Sequence, residues 1–179
     1  MTSNAPGSGH RIIGSLRAAD GQGIVRMEDR YDTDIDDLWS ALTDPGRLAR
    51  WIGEVEGDLR LGGEFRTHFF ASGAQSAGRV EACEPPERLL LSTKHVDAAY
   101  ELVIEAALTT DGDQTVLVVE QRGMPLDLLH GYGAGNQIHF EHLAGHIAGR
   151  KPRDTEDSSI EARWNELLPA YQDLAANVR

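Results

Sequence analysis

The 179-residue sequence predicts an α+β domain built on an antiparallel sheet. Three observations predict it. An early strand pattern is followed by two short helical segments. A series of strand-length runs comes next, each separated from the last by turn residues. A longer helical pattern closes the chain. Short strands with Gly, Pro and Asp between them join through hairpins, and hairpins make the pairing antiparallel. Residues 1–9 are Ser, Gly, Asn and Pro with almost no apolar content, and are expected to be a disordered tail. That leaves 10–179 as one domain.

The first strand-like runs cover residues 12–18 and 24–31. Ala19-Asp20-Gly21-Gln22-Gly23 lies between them and carries turn chemistry. The two runs are a hairpin, or one long strand with a bulge. Thr33 then caps a helix, its hydroxyl accepting from a free N–H of the first turn. Asp34, Asp36 and Asp37 place negative charge where the helix dipole favours it. Ile35, Leu38, Trp39 and Leu42 share one face at helical spacing. Asp44-Pro45 restarts a second short helix, with Asp as N-cap and Pro at the first helical position, running to Trp51.

Strands are expected at residues 54–60, 64–71, 77–84, 88–95, 100–109 and 115–122. Pro85-Pro86 cannot join a ladder and ends one of them. The last two hairpins can be registered from their turns. Asp111-Gly112 is the preferred centre of a two-residue type I′ turn. That turn pairs Leu108 with Thr115, Ala106 with Leu117, Ile104 with Val119 and Leu102 with Gln121. The opposite face then holds Glu101, Glu105, Glu120 and Arg122, with Glu101 facing Arg122. A five-residue loop would bury Glu120 and Arg122 and is rejected. A four-residue loop at 96–99 pairs His95 with Tyr100, Thr93 with Leu102 and Leu91 with Ile104. Both registers give one inner face: Leu91, Thr93, His95, Tyr100, Leu102, Ile104, Val119 and Gln121.

Residues 124–135, with Pro125 and glycines at 131, 133 and 135, read as irregular, a short helix and a hinge. Residues 137–147 are helical, with Phe140, Leu143, Ala144 and Ile147 on one arc. An extra C-terminal helix is expected at about 158–178, with Trp164, Leu167, Leu168, Tyr171 and Leu174 as its apolar stripe. Pro169 is expected to kink or split it.

The order of these pieces carries a resemblance. Leu38-Trp39-Ser40-Ala41-Leu42-Thr43-Asp44-Pro45, Trp51, Leu61-Gly62-Gly63-Glu64-Phe65 and Gly78-Arg79-Val80 are its first half. Glu84-Pro85-Pro86-Glu87-Arg88-Leu89 and Val119-Glu120-Gln121-Arg122-Gly123-Met124-Pro125 continue it. The ordered set resembles the START-like, Bet-v-1-like (SRPBCC) superfamily, and within it the family named for the activator of heat-shock protein 90 ATPase. The resemblance covers most of the chain from Val25 to about Gly149. It implies a helix-grip fold: a curved antiparallel sheet wrapped around a long C-terminal helix, two short helices after the first strand, and a cavity between sheet and helix. Related chains often carry Trp where this one has Asn136, a departure that makes the local packing more polar or more open.

Charge and composition narrow the function. Lys plus Arg is 17 against 29 for Asp plus Glu, a net charge of -12. Nucleic acid and anionic membrane surfaces both require a basic footprint, so neither is an expected partner. The chain has one cysteine, Cys83, which excludes an internal disulfide and fits a cytoplasmic setting. No signal peptide or membrane-spanning run is read.

Four polar residues converge on the inner face: Thr93, His95, Tyr100 and Gln121. They form a mutual hydrogen-bond network or orient a ligand in a cavity. With Trp51, Leu91, Leu102, Ile104, Val119 and, from the C-terminal helix, His139, they make the candidate ligand site. His139, His142 and His146 fall within roughly 60° of one another on a helix. They read as polar flanks of the apolar stripe, and no metal or cofactor is expected. The residue after His142 is Leu143, where a metalloprotease helix needs Glu. The expected function is enclosure of a small, largely hydrophobic molecule by a monomer or homodimer. One alternative is a polyketide cyclase or dehydratase-like enzyme with His95 or His139 as acid and base and Tyr100 as donor. Against an enzyme, no inner-face carboxylate orients a histidine. The other alternative is a co-chaperone-like protein partner.

Overall fold

The computed structural model describes residues 11–150 and 158–178. The expected tail at 1–9 and most of the charged loop before the last helix lie outside the described residues. Among the described residues, eight strands form one antiparallel sheet: β1 (Gly14–Ala19), β2 (Gln22–Tyr31), β3 (Gly53–Gly57), β4 (Glu64–Phe69), β5 (Gln75–Glu84), β6 (Arg88–His95), β7 (Leu102–Asp111) and β8 (Gln114–Met124). Their spatial order is β1-β2-β8-β7-β6-β5-β4-β3. The order is a meander from β3 to β8, closed by the N-terminal hairpin. Irregular pairing between Val80 and Ala82 bends β5 and adds to the curl. The β1–β2 pair is a hairpin, and Asp20 and Gly21 at its turn both have positive φ (52° and 76°). Asp tolerates that conformation better than most residues and Gly without cost.

Two short helices, α1 (Ile35–Thr43) and α2 (Pro45–Leu48), connect β2 to β3. The N-cap of α1 is Asp34, not Thr33: its carboxylate accepts from the Asp37 amide at 2.8 Å. The Thr33 hydroxyl donates instead to the Asp37 carboxylate at 2.7 Å. Asp44 caps α2 as expected, accepting from the Arg47 amide with Pro45 at the first helical position. Leu38 and Ala41 of α1 are fully buried, and the Trp51 indole donates to the Ala41 carbonyl at 3.0 Å.

The β6–β7 register is the expected one, with Thr93 opposite Leu102 and Leu91 opposite Ile104. Tyr100 lies in the connection before β7 and not within the strand. The β7–β8 register differs from the expected one by two residues. Asp111 pairs with Gln114, so Gly112-Asp113 is the turn, Ala106 faces Val119 and Ile104 faces Gln121. Only Gly112 of that turn has positive φ (63°), so the turn is not type I′. The cause is local: β7 runs to Asp111, two pairs beyond the expected end. A slip of two keeps every side chain on its face. The outer cross-strand neighbour of Arg122 becomes Val103 in place of Glu101.

After Pro125 and a 3₁₀ turn at Leu126–Leu128, the long helix α3 runs Leu129–Ile147. Residues 129–135, read as irregular, are helical in spite of three glycines. Tertiary packing overrides the weak propensity of Gly here. The last helix, α4 (Ser158–Ala176), lies on that stretch, and a Cβ on Gly133 would come within 2.3 Å of the Tyr171 ring. Gly131 and Gly135 face Trp164 at ordinary contact distance. Pro169 sits inside α4, which continues through it. Leu167 and Tyr171 are its fully buried residues, whereas Leu174 is exposed. The Tyr171 hydroxyl donates to Gln137 of α3 at 2.6 Å. Gln137 in turn bonds the backbone at Arg11 and Ile13, tying α4 and the start of the described chain to α3. The sheet therefore wraps α3 on one side, which is the helix-grip arrangement expected, and the additional helix α4 packs against α3.

Candidate functional site

A cavity of about 600 Å³ lies between the inner face of β7–β8 and α3. Ile104, Leu117 and Val119 line it from the sheet, Leu42 from α1, Phe69 from β4, Phe140 and Leu143 from α3 and Trp164 from α4. These side chains make most of the wall apolar, because each is the inward member of an alternating strand or the inward stripe of a helix. A second, smaller chamber of about 170 Å³ adjoins it, beneath α1 and α2 and against β3–β7.

Polar groups cluster on the α3 side of the larger chamber. The Tyr100 and Tyr132 hydroxyls are 2.8 Å apart. The Asn136 amide donates to Gln121 Oε1 at 2.6 Å, joining α3 to β8. The Phe69 ring sits between two imidazoles, with centroids 5.9 Å from His95 and 5.7 Å from His139. His95 also lies 6.4 Å from the Tyr132 ring. The Nδ1 atoms of both histidines are buried without a hydrogen-bond partner among the described residues. Burial, with the neighbouring His142 adding to it, pushes the His139 imidazole down to about 4, so it is neutral at neutral pH. Burial, then the bond to Tyr100, pushes the Tyr132 phenol up, so it stays protonated and can donate.

Most of the residues expected to form the site come together. Trp51, His95, Tyr100, Ile104, Val119, Gln121 and His139 all line the larger chamber. Leu91 and Thr93 line the smaller one, with Trp51 and Ile104 reaching both. Leu102 is buried in the core and reaches neither wall. The four inner-face polar residues do not form one mutual network. Thr93 donates to the Ala77 carbonyl at 3.2 Å, while Tyr100 and Gln121 pair across to α3. Of the other helical histidines, His146 accepts from Arg47 at 3.1 Å, outside the cavity. Among the described residues, no three His, Cys, Asp or Glu side chains are placed to hold a metal ion, and no helix is long and apolar enough to cross a membrane.

Sequence reasoning missed Phe69, Tyr132 and Trp164, and singled out Asn136 only as a departure in local packing, without placing it in the site. Tyr132, Asn136 and His139 follow one another at helical spacing, i, i+4, i+7. That signal was readable once the helix was allowed to start before the glycines. Trp164 gave no such signal, since its spacing fits a plain apolar stripe.

The family described as “Activator of Hsp90 ATPase homolog 1-like protein” matches residues 32–148. Among solved structures, CalU16 from Micromonospora echinospora is 28% identical, with a TM-score of 0.74 over 92% of this chain and 96% of that one. DynU16, a protein of the dynemicin biosynthetic locus, is 27% identical, with a TM-score of 0.67 over 75% of this chain and 49% of that one. CV1439 from Chromobacterium violaceum shares the fold at 23% identity and a TM-score of 0.63, over 69% of this chain and 96% of that one. No curated protein matches the sequence.

Proposed function

The chain belongs to the Activator of Hsp90 ATPase homolog 1-like family, and from that premise we propose that it encloses a small, largely apolar biosynthetic intermediate and acts on it as a cyclase or dehydratase would. The observation that carries the reading is the pair of imidazole nitrogens, His95 Nδ1 and His139 Nδ1, buried without a hydrogen-bond partner among the described residues beside a largely apolar cavity of about 600 Å³. A buried polar atom left without a partner costs about 1–3 kcal/mol, which a ligand group would offset. The likeness to DynU16, from a biosynthetic locus, favours transformation of the molecule over simple carriage.

The residues suit proton transfer next to a carbonyl. A neutral His139 takes the proton, and the carbonyl oxygen that gains charge accepts from the one O–H of the Tyr100–Tyr132 pair that is not donated to its partner. The apolar part of the wall lowers the local dielectric and strengthens both interactions. No carboxylate lies in hydrogen-bond reach of either Nδ1 among the described residues, so ligand contact itself would orient the rings. A cytoplasmic setting belongs to the same proposal, since Cys83 is the sole cysteine.

Native mass spectrometry of protein purified from its own host tests the reading. The expected result is a co-purifying small molecule that is converted on incubation. His139→Asn and Tyr100→Phe are expected to retain that molecule and lose the conversion. A protein that carries no molecule, or that is recovered with a chaperone in its place, overturns it.

A further inference from the structure

We infer that the bound molecule is amphipathic and two-ended, with a hydrogen-bonding head in the larger chamber and a benzene-sized ring or short alkyl chain in the smaller one. The inference rests on the binding reading above and adds the class of molecule. It starts from how differently the two chambers are lined. The larger holds every ligand-facing polar group just described: the tyrosine pair, the Asn136–Gln121 pair and the two imidazoles. Among the described residues the smaller has no charged residue on its wall and only four hydroxyl side chains, on Thr43, Thr67, Ser76 and Thr93. Two of these already donate to backbone carbonyls, Thr43 to Trp39 at 2.8 Å and Thr93 to Ala77 at 3.2 Å.

Size points the same way. The smaller chamber is about 170 Å³. An apolar cavity of about 150 Å³ stays dry and accepts benzene, because water inside it would lack partners. An apolar group that enters regains dispersion contacts that an empty wall forfeits. The two chambers adjoin across Leu42, Trp51, Ile52, Phe69 and Ile104, which appear on both walls. One molecule can therefore occupy both, with its head fixed at the α3 side and its tail beneath α1. Ala106 lies on the wall of the smaller chamber alone and is the position at which side-chain bulk fills it.

Calorimetric titration of the full-length protein with phenol and its 4-ethyl, 4-butyl and 4-hexyl derivatives tests this. The expected result is an affinity that rises about fourfold per added methylene until the tail fills the chamber. Ala106→Leu is expected to flatten that slope to less than twofold per methylene. Ala106→Val, a smaller change, should give an intermediate slope and stands in if the leucine variant does not fold. Equal slopes in parent and variants overturn the second-chamber assignment while leaving enclosure of a ligand intact. Failure of every phenol to bind the parent overturns both.

Discussion

Ile104 and Glu105 are neighbours in β7 and face opposite sides of the sheet. On the outer side the charges answer one another across five strands. Arg17 pairs with Glu120 at 3.0 Å, Glu120 with Arg122 at 3.0 Å, and Arg122 with Glu105 at 3.3 Å. Glu105 pairs with Arg88 at 2.8 Å, and Arg88 with Glu84 at 2.8 Å. On the inner side, around Ile104, the tyrosines and amides are paired but the two histidine Nδ1 atoms are not. The outer ladder is half-buried at Arg88, Glu105, Glu120 and Arg122 and open to solvent at its ends, so its pairs are screened and add little, and its role is to suit strand register. The inner atoms are covered, where a missing partner is costly. The same strands thus carry a finished surface on one side and, on the other, a surface that only an occupant would complete.

The largest expected effect separates these sides by one residue. Ile104→Trp should fill the junction of the two chambers and weaken binding of an apolar dye such as Nile red by about a hundredfold, which is about 2.7 kcal/mol. Stability should fall by less than about 1 kcal/mol, because the indole enters open space and not packed core. Glu105→Ala, next along the chain, should leave dye binding unchanged. Dye titration and thermal melts read both. A large loss of stability in Ile104→Trp without dye binding in the parent would mean that the inner side is solid.

pH separates the sides next. His139 is held below its unfolded value, so its contribution is complete above about pH 6.5 and is lost as pH falls toward 4. Its ring is half-buried and its Nδ1 covered, so the loss should be about 1–3 kcal/mol. The Arg88 and Arg122 guanidiniums hold Glu105 below the usual carboxylate range, and those of Arg122 and Arg17 outweigh burial to do the same for Glu120. Those contributions are present above the ordinary carboxylate value and disappear only below about pH 4.5. Acid unfolding should therefore begin on the inner side. His146 is also held down, by burial and then by Arg47 and Arg50, so the comparison that isolates the cavity is parent against His139→Asn. Identical stability profiles from pH 7 to 4.5 would assign the loss elsewhere.

Gly112→Val touches the turn that sorts side chains between the two faces. Nothing lies within 4 Å of an added Cβ there, so the cost is the positive φ of 63° alone, about 1–2 kcal/mol by denaturant melt. A silent substitution would show that this turn does not hold the register. The smallest effect belongs to the ladder. Glu105→Gln should cost less than about 1 kcal/mol, and that loss should vanish in 1 M salt.

Much of this was legible from local pattern. Alternation in 102–108 and 115–121 separated apolar from charged residues, and that period of two survives a two-residue slip of the turn. The face assignment of Ile104, Val119 and Gln121 therefore held, although their cross-strand partners changed. Asp44-Pro45 announced its helix because capping is a contact between residues three apart. His139 was included in the candidate ligand site from the C-terminal helix, and it lines the larger chamber.

Interactions between neighbours along the chain set the strands, the capped helices, the two faces and most of the residues that look inward. Tertiary structure decided the rest. Gly131, Gly133 and Gly135 lower helix propensity in isolation, but their missing side chains let Tyr171 and Trp164 of α4 lie against α3, so the stretch folds as helix. With that turn of helix in place, Tyr132 meets Tyr100 and Asn136 meets Gln121. Trp164 reaches the cavity only because α4 docks where the glycines allow it. Close approach between distant segments is set by the space that several side chains leave together, and no local period records that space.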